Sequence, residues 1–213
     1  MANKYEYQKK QKLFKARLIF PALLILLLSF FETSCKSTGL KAADNLRPVY
    51  ITNSKKIKLL GPENAARALD TLQLFNGRFG QNTFSLLSYS QIDEKEIRLS
   101  LFNDFGTDMG MLFFDGKSLS FESAFLPEKL PGEYILAEIQ NAYYDENALK
   151  QMYEKAGLTF TLFVEAGQKE NEKLMMRKIY DGKKLIEEIT ISEKKVTIIN
   201  HLRDYSFELV NAE

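Results

Sequence analysis

The sequence predicts an α+β protein that is mainly β, an incomplete antiparallel β-barrel of about ten to eleven strands with a central lid of two helices. Apolar and polar residues alternate in segments that recur about every eight to twelve residues. The chain has 16 Phe and 10 Tyr but no Trp, and aromatic residues favour pleated strands. Residues 126–157 interrupt this alternation with apolar residues at helical spacing.

Five alternating segments precede the helical one and predict an antiparallel meander: 69–75, 84–92, 96–102, 109–114 and 118–125. Asn76-Gly77 is a strong hairpin signal and predicts a turn after the first strand, and Asp115-Gly116 predicts another turn. Upstream, residues 46–60 predict a short strand or an extended segment, and residues 62–70 predict a helical turn.

Two short amphipathic helices are predicted between residues 126 and 157. Tyr134, Ile135 and Ile139 recur at helical spacing and form the apolar stripe of the first helix. Asp145 is placed to cap the second helix, and Gly157 to end it.

A second group of strands follows at 159–165, 174–180, 184–191, 195–200 and 205–210, with a turn at Asp181-Gly182. Several strands are apolar on both faces, so a curved sheet with helices across its concave side is expected. A helix that covers a half-closed barrel without filling it leaves an apolar cavity.

The N-terminal region predicts a signal peptide over residues 1–34, a flexible tether over 35–45, and a single domain over 46–213. Six basic residues precede an uncharged run of 14 residues, 18–31, which is shorter than the roughly 20 residues that a spanning helix needs.

Cys35 follows Thr33 and Ser34, and this arrangement resembles a bacterial lipoprotein cleavage site, where the Cys thiol receives a diacylglyceryl group. Glu32 departs from that pattern, which has an aliphatic residue at this position. Lys36 favours the periplasmic face of the outer membrane over the inner membrane. The alternative is an uncleaved signal anchor with Cys35 as a free thiol.

Residues 131–140 resemble the "leucine-leucine-alanine-acid-leucine-glutamine" helix of a bacterial domain-of-unknown-function lipoprotein family. That family is allied with the LolA/LolB lipoprotein carriers, and its members are often encoded in aryl polyene gene clusters. The similarity covers roughly residues 65–210. Other matching positions are Phe114, Asp115, Gly116, Arg177, Asp181, Gly182, Glu188, Ile189, Asn200 and Tyr205. The resemblance implies a LolA/LolB-like half-barrel whose helical lid covers an apolar pocket for acyl chains.

The candidate cavity and lid residues are apolar side chains from both groups of strands and from the helices: Leu99, Leu101, Met109, Met111, Phe113, Ile135, Ile139, Met152, Phe160, Leu162, Ile189 and Ile198. The alternative for each is ordinary core packing. Glu138, Gln140 and Arg177 are candidates for contacts to a polar head group, or else cap, pair or face solvent.

The composition excludes several classes of function. Residues 1–34 hold six of the 29 basic and two of the 28 acidic residues, so the body is slightly acidic and lacks a nucleic-acid footprint. One Cys and one His exclude an intrachain disulfide and a Cys/His zinc site.

No catalytic motif is recognisable, and no cofactor is expected. The sequence thus predicts a monomeric, non-catalytic, lipid-anchored envelope protein that binds or transfers a lipid, acyl or lipoprotein ligand, with envelope transport proteins as further partners. The alternatives are a ligand-free scaffold or regulatory interaction protein on the same fold, and a small enzyme acting on an acyl intermediate.

Overall fold

Two sheets and two helices make up the protein in the computed structural model, which describes residues 46–126, 130–166 and 173–212. A small sheet pairs β1 (Val49–Tyr50) with β2 (Lys56–Ile57), and a 3₁₀ turn follows at Pro62–Asn64. The large sheet has ten strands: β3 (Leu69–Phe79), β4 (Asn82–Ile92), β5 (Ile97–Phe102), β6 (Asp108–Phe114), β7 (Leu119–Ser123), β8 (Thr159–Ala166), β9 (Lys173–Asp181), β10 (Lys184–Ile191), β11 (Lys195–Asn200) and β12 (Tyr205–Asn211). Cys35 and the predicted tether lie outside the described residues.

The ten strands form one antiparallel sheet in the order β7-β6-β5-β4-β3-β12-β11-β10-β9-β8. Both predicted meanders of five strands are therefore confirmed. They join where β12 pairs with β3, a seam between Tyr205↔Phe79 and Asn211↔Gln73. Among the described strands, β7 and β8 are the two edges, and the sheet is not closed into a barrel.

The sheet is strongly curved around the first helix. β7 and β11 stand six positions apart, which would separate them by about 29 Å in a flat sheet. Phe121 of β7 and Ile198 of β11 nevertheless line one small cavity. The sheet must bend to bring these side chains together.

Two helices connect the edge strands across the inner face of the sheet: α1 (Gly132–Tyr143) and α2 (Glu146–Lys155). Asp145 caps α2 as predicted, since its Oδ1 accepts hydrogen bonds from the amides of Asn147 at 2.9 Å and Ala148 at 3.0 Å. Gly157, at a φ of 72°, follows α2. Neither helix within the described ranges is long and apolar enough to cross a membrane.

The N-terminal arm (residues 46–66) covers the side of α1 that faces away from the sheet. The Gln140 amide exchanges two hydrogen bonds with the Leu60 backbone, at 3.1 and 2.8 Å, and Ala65 bridges to Tyr144. Arg47 pairs with Glu133 at 3.2 Å near the start of α1. α1 is thus a buried middle layer between the sheet and this arm.

The predicted hairpin turn at Asn76-Gly77 is wrong. Both residues lie inside β3, where Asn76 pairs with Ser85 and Gly77 with Phe84. The turn falls instead at Gly80, which has a φ of 55°. Gly77 is needed because the ring of Phe84 lies over it: a Cβ there would meet the ring at 2.0 Å.

Gly77→Ala should destabilise the protein by about 1–3 kcal/mol, because the added methyl must displace Phe84 from its contacts with Phe75 and Phe125. Urea denaturation measures the change. Phe84→Leu is the companion variant, since a shorter side chain leaves room above residue 77. The double variant should then lose less stability than the sum of the two single variants, and strict additivity would contradict this packing.

Candidate functional site

A small cavity of about 50 Å³ lies between α1 and the inner face of the sheet. Its walls come from α1, from β3, β4, β5 and β7 of the first meander, and from β11 and β12 of the second. The lining residues are Phe75, Phe84, Ser88, Ser90, Ile92, Ile97, Arg98, Leu99, Leu101, Phe121, Leu126, Ile135, Glu138, Ile139, Ala142, Tyr143, Ile198, Phe207 and Leu209. Aliphatic and aromatic side chains make up most of the wall.

Five of the predicted cavity residues meet at this place. Ile135 and Ile139 are one helical turn apart on α1 and form the roof. Leu99 and Leu101 alternate along β5, and Ile198 faces them from β11. The predicted lid stripe and the predicted strand faces therefore share one cavity.

The predicted cavity residues Met111 and Phe113 lie on the outer face of β6, so this part of the prediction is wrong. Leu112 and Phe114 point inward and are fully buried, whereas Met111 is 49% exposed on the outer face. Phe113 is also outside, beneath the guanidinium of Arg98 at 4.8 Å. β6 is apolar on both sides, so its sequence gives no signal for which side is inner.

Met109 packs against the core beside a register shift in the β5–β6 pairing, away from the cavity lining. The other predicted residues outside that lining also pack in the core. They belong to α2 and the second meander: Met152, Phe160, Leu162 and Ile189.

The core under α2 is filled by side chains. The ring of Phe160 stacks on Tyr153 at 5.9 Å, and Leu149 and Ile189 are fully buried. For these positions the alternative of ordinary core packing describes the structure. The cavity is accordingly confined to the part of the sheet under α1.

Glu138 places a carboxyl group in the wall of this apolar cavity. Its Oε1 accepts a hydrogen bond from the hydroxyl of Tyr205, and the carboxyl of Glu187 is near enough to raise its pKa. Oε2 is shielded from solvent and accepts no hydrogen bond from the described residues. A buried carboxyl oxygen without a donor favours the neutral form of Glu138, because a carboxylate needs donors at both oxygens.

Glu187 is the centre of a buried polar network at the junction of α1 and the second meander. Asn141 of α1 donates to its Oε1 at 2.7 Å, and Asn200 of β11 donates to its Oε2 at 2.8 Å. The hydroxyl of Tyr153 in turn donates to Asn141 at 2.7 Å. The network fixes α1 to β10 and β11.

The two carboxyl groups hold their protons unequally. Burial raises the pKa of Glu138 well above its ordinary value, and the neighbouring charge of Glu187 raises it further. Burial also raises the pKa of Glu187, but hydrogen bonds from Asn200, Asn141 and Glu138 oppose that rise. Of the two buried acids, Glu138 therefore keeps its proton to the higher pH.

The two other predicted polar residues hold the backbone. Gln140 is fully buried and bonds Leu60 of the N-terminal arm. Arg177 is also buried and donates to the carbonyls of Asn141 at 2.7 Å and Tyr144 at 2.9 Å, which end α1. Burial lowers the pKa of Arg177.

The sheet also contributes polar residues that the sequence patterns did not indicate. Ser88 and Ser90 occupy inward positions of β4 between apolar neighbours, and Glu187 occupies an inward position of β10. A serine or an acid at an inner position of an alternating strand is the signal that could have found them. In the described ranges no group of three or more Cys, His, Asp or Glu side chains could hold a metal ion.

Glu138→Gln should flatten the pH dependence of folding stability. Because folding raises the pKa of Glu138, the stability it contributes is complete below its unfolded pKa of about 4.3 and is lost as the pH rises through the folded pKa. Gln cannot ionise, so the free energy of unfolding of the variant should gain on wild type by at most about 1.4 kcal/mol per pH unit in that window.

Urea denaturation between about pH 4 and 8 measures this difference. Glu122→Gln, at an exposed position of β7, is the matched control and should follow the wild-type curve. Parallel curves for Glu138→Gln and wild type would show that Glu138 is not the protonated partner.

The chain matches a protein family that has no assigned function. No curated protein matches the chain. A family model described as "Protein of unknown function (DUF3261)" matches residues 70–213, which include the ten strands and both helices. The chain therefore belongs to this family of proteins of unknown function, DUF3261.

Proposed function

We propose that the protein is a membrane-anchored lipoprotein of the cell envelope that binds or passes on a lipid or acyl chain beneath α1, without catalysing a reaction. The observation that carries this proposal is the cavity itself, whose roof of Ile135 and Ile139 faces a wall of Phe75, Phe84 and Leu101. Such walls suit a flexible hydrocarbon, because they offer contacts without fixed directions.

Entry of a chain requires α1 to move. A cavity of about 150 Å³ accepts a benzene molecule, and this one has a volume of about 50 Å³. The helix is held to the sheet by Asn141 and Arg177, and to the N-terminal arm by Gln140. Loading is therefore a separation of α1 from the sheet.

The remaining parts of the proposal rest on sequence. Cys35 is the site of the lipid anchor, and Lys36 favours the periplasmic face of the outer membrane. The kinship with LolA/LolB carriers is supported by the curved sheet with helices between its two edges. We also propose, on the same resemblance, that the protein is a monomer, that it exchanges its ligand with envelope transport proteins, and that it serves an aryl polyene pathway.

A ligand-free scaffold is the second candidate, and the small volume of the cavity favours it. The outer face of the sheet offers such a protein a binding surface. Val210, Leu74, Leu87 and Phe102 are successive cross-strand neighbours from β12 to β5, and Leu74 is 38% exposed. A scaffold would bind partners there and take up no lipid.

Ile139→Phe should weaken the binding of diphenylhexatriene, an uncharged hydrocarbon probe, about tenfold or more, since the larger ring fills the cavity. Probe fluorescence during titration measures the affinity. Met111→Phe places the same ring on the outer face and should bind as wild type does. Thermal denaturation confirms that both variants are folded. No binding by wild type, or equal binding by both variants, contradicts the lipid-binding proposal and favours the scaffold.

Cys35→Ser should abolish incorporation of labelled palmitate into the protein in growing cells, because the thiol that forms the thioether to the diacylglyceryl group is removed. Autoradiography of the immunoprecipitated protein measures the label. Ser37→Ala is the control and should retain it. Label that survives in Cys35→Ser argues against the lipoprotein anchor.

A further inference from the structure

Ser88 is a buried polar group that has no hydrogen-bond partner among the described residues. It is fully buried on the inner face of β4, it lines the cavity, and its hydroxyl makes no hydrogen bond with any described residue. An unpaired buried hydroxyl costs about 1–3 kcal/mol in a folded protein. Ser88 therefore marks a point in the cavity wall where a hydrogen-bonding atom from outside the protein would be stabilised.

The residues on either side of Ser88 do not satisfy it. Gln73 is its cross-strand partner on β3, but that amide donates to Asn211 at 2.9 Å and accepts from Tyr143 at 3.3 Å. Leu101, its partner on β5, is apolar. A hydrogen-bond partner for Ser88 can therefore approach from the cavity.

The same cavity is unfavourable for an anion. Glu138 lies in its wall, and Glu187, which Asn141 and Asn200 hold, is its acidic neighbour. An entering carboxylate would bring a third acidic group to this pair in a medium of low dielectric constant, with few waters to screen the repulsion. An uncharged oxygen meets no such penalty and gains the hydrogen bond of Ser88.

We propose that the cavity takes chains that carry an uncharged hydroxyl or carbonyl oxygen, typified by a fatty alcohol, that this oxygen bonds Ser88, and that Glu138 and Glu187 exclude fatty carboxylates. The inference rests on the proposed lipid-binding function and names the ligand class for that site.

Displacement of diphenylhexatriene by dodecanol and by dodecanoate, at about pH 8 with the full chain, tests this selectivity. Dodecanol should bind about tenfold or more tightly than dodecanoate. Ser88→Ala should weaken dodecanol about tenfold and leave the affinity for diphenylhexatriene unchanged, since the probe has no polar atom. The substitution removes an unpaired hydroxyl, so the variant should fold as wild type does.

Ser85→Ala is the matched control, because Ser85 is exposed on the same strand and should leave both affinities unchanged. Equal affinities for alcohol and carboxylate, or an unchanged dodecanol affinity in Ser88→Ala, overturn the selectivity while the lipid-binding function stands. If neither diphenylhexatriene nor dodecanol binds wild type, the proposed function is overturned and this inference with it.

Discussion

The buried carboxyl group of Glu187 is the constraint around which the structure is arranged. A buried acidic group is tolerated only where hydrogen-bond donors surround it, and these donors come from Asn141 on α1 and Asn200 on β11. Displacing α1 along its axis would withdraw one of the two donors. Arg177 adds to the constraint by holding the last carbonyls of the helix. The position of the cavity roof is thus set by polar groups, although the cavity itself is apolar.

The opposite side of α1 is held by a different kind of contact. The side chain of Gln140 hydrogen-bonds both the amide and the carbonyl of Leu60, and the Arg47–Glu133 pair adds a weaker contact in which only Arg47 is exposed. The helix is therefore attached on both sides, to the sheet and to the N-terminal arm. The sheet side is continuous with nine interstrand ladders, whereas the N-terminal arm is joined to β3 by a short link. Moving α1 away from the sheet would break the hydrogen bonds of Asn141 and Arg177, whereas moving the arm with the helix would preserve those of Gln140.

The sequence predicted the positions of the helices and strands better than it predicted which face of each strand points inward. Both groups of five strands and the cap at Asp145 follow from local patterns, and local energetics determine them. The inner face of β6 was misassigned because Met111 and Leu112 are equally apolar, and only pairing with β5 decides which points inward. Asn76-Gly77 predicts a turn from local sequence, but the glycine is required by the ring of Phe84, which lies on another strand. Ser88 and the Glu138–Glu187 pair depend on residues far apart in sequence, which no local pattern reveals.

The pairing of β3 with β12 makes folding of the large sheet depend on a contact between its first and last strands. These strands are the first and last of the large sheet, so their pairing closes a loop of more than a hundred residues and is slow to form. Until synthesis reaches Tyr205, β3 presents an unpaired edge with Leu72 and Leu74 beside it, which is the kind of surface that aggregates. The cavity exists only once the final strand is added, because Phe207 and Leu209 complete its wall.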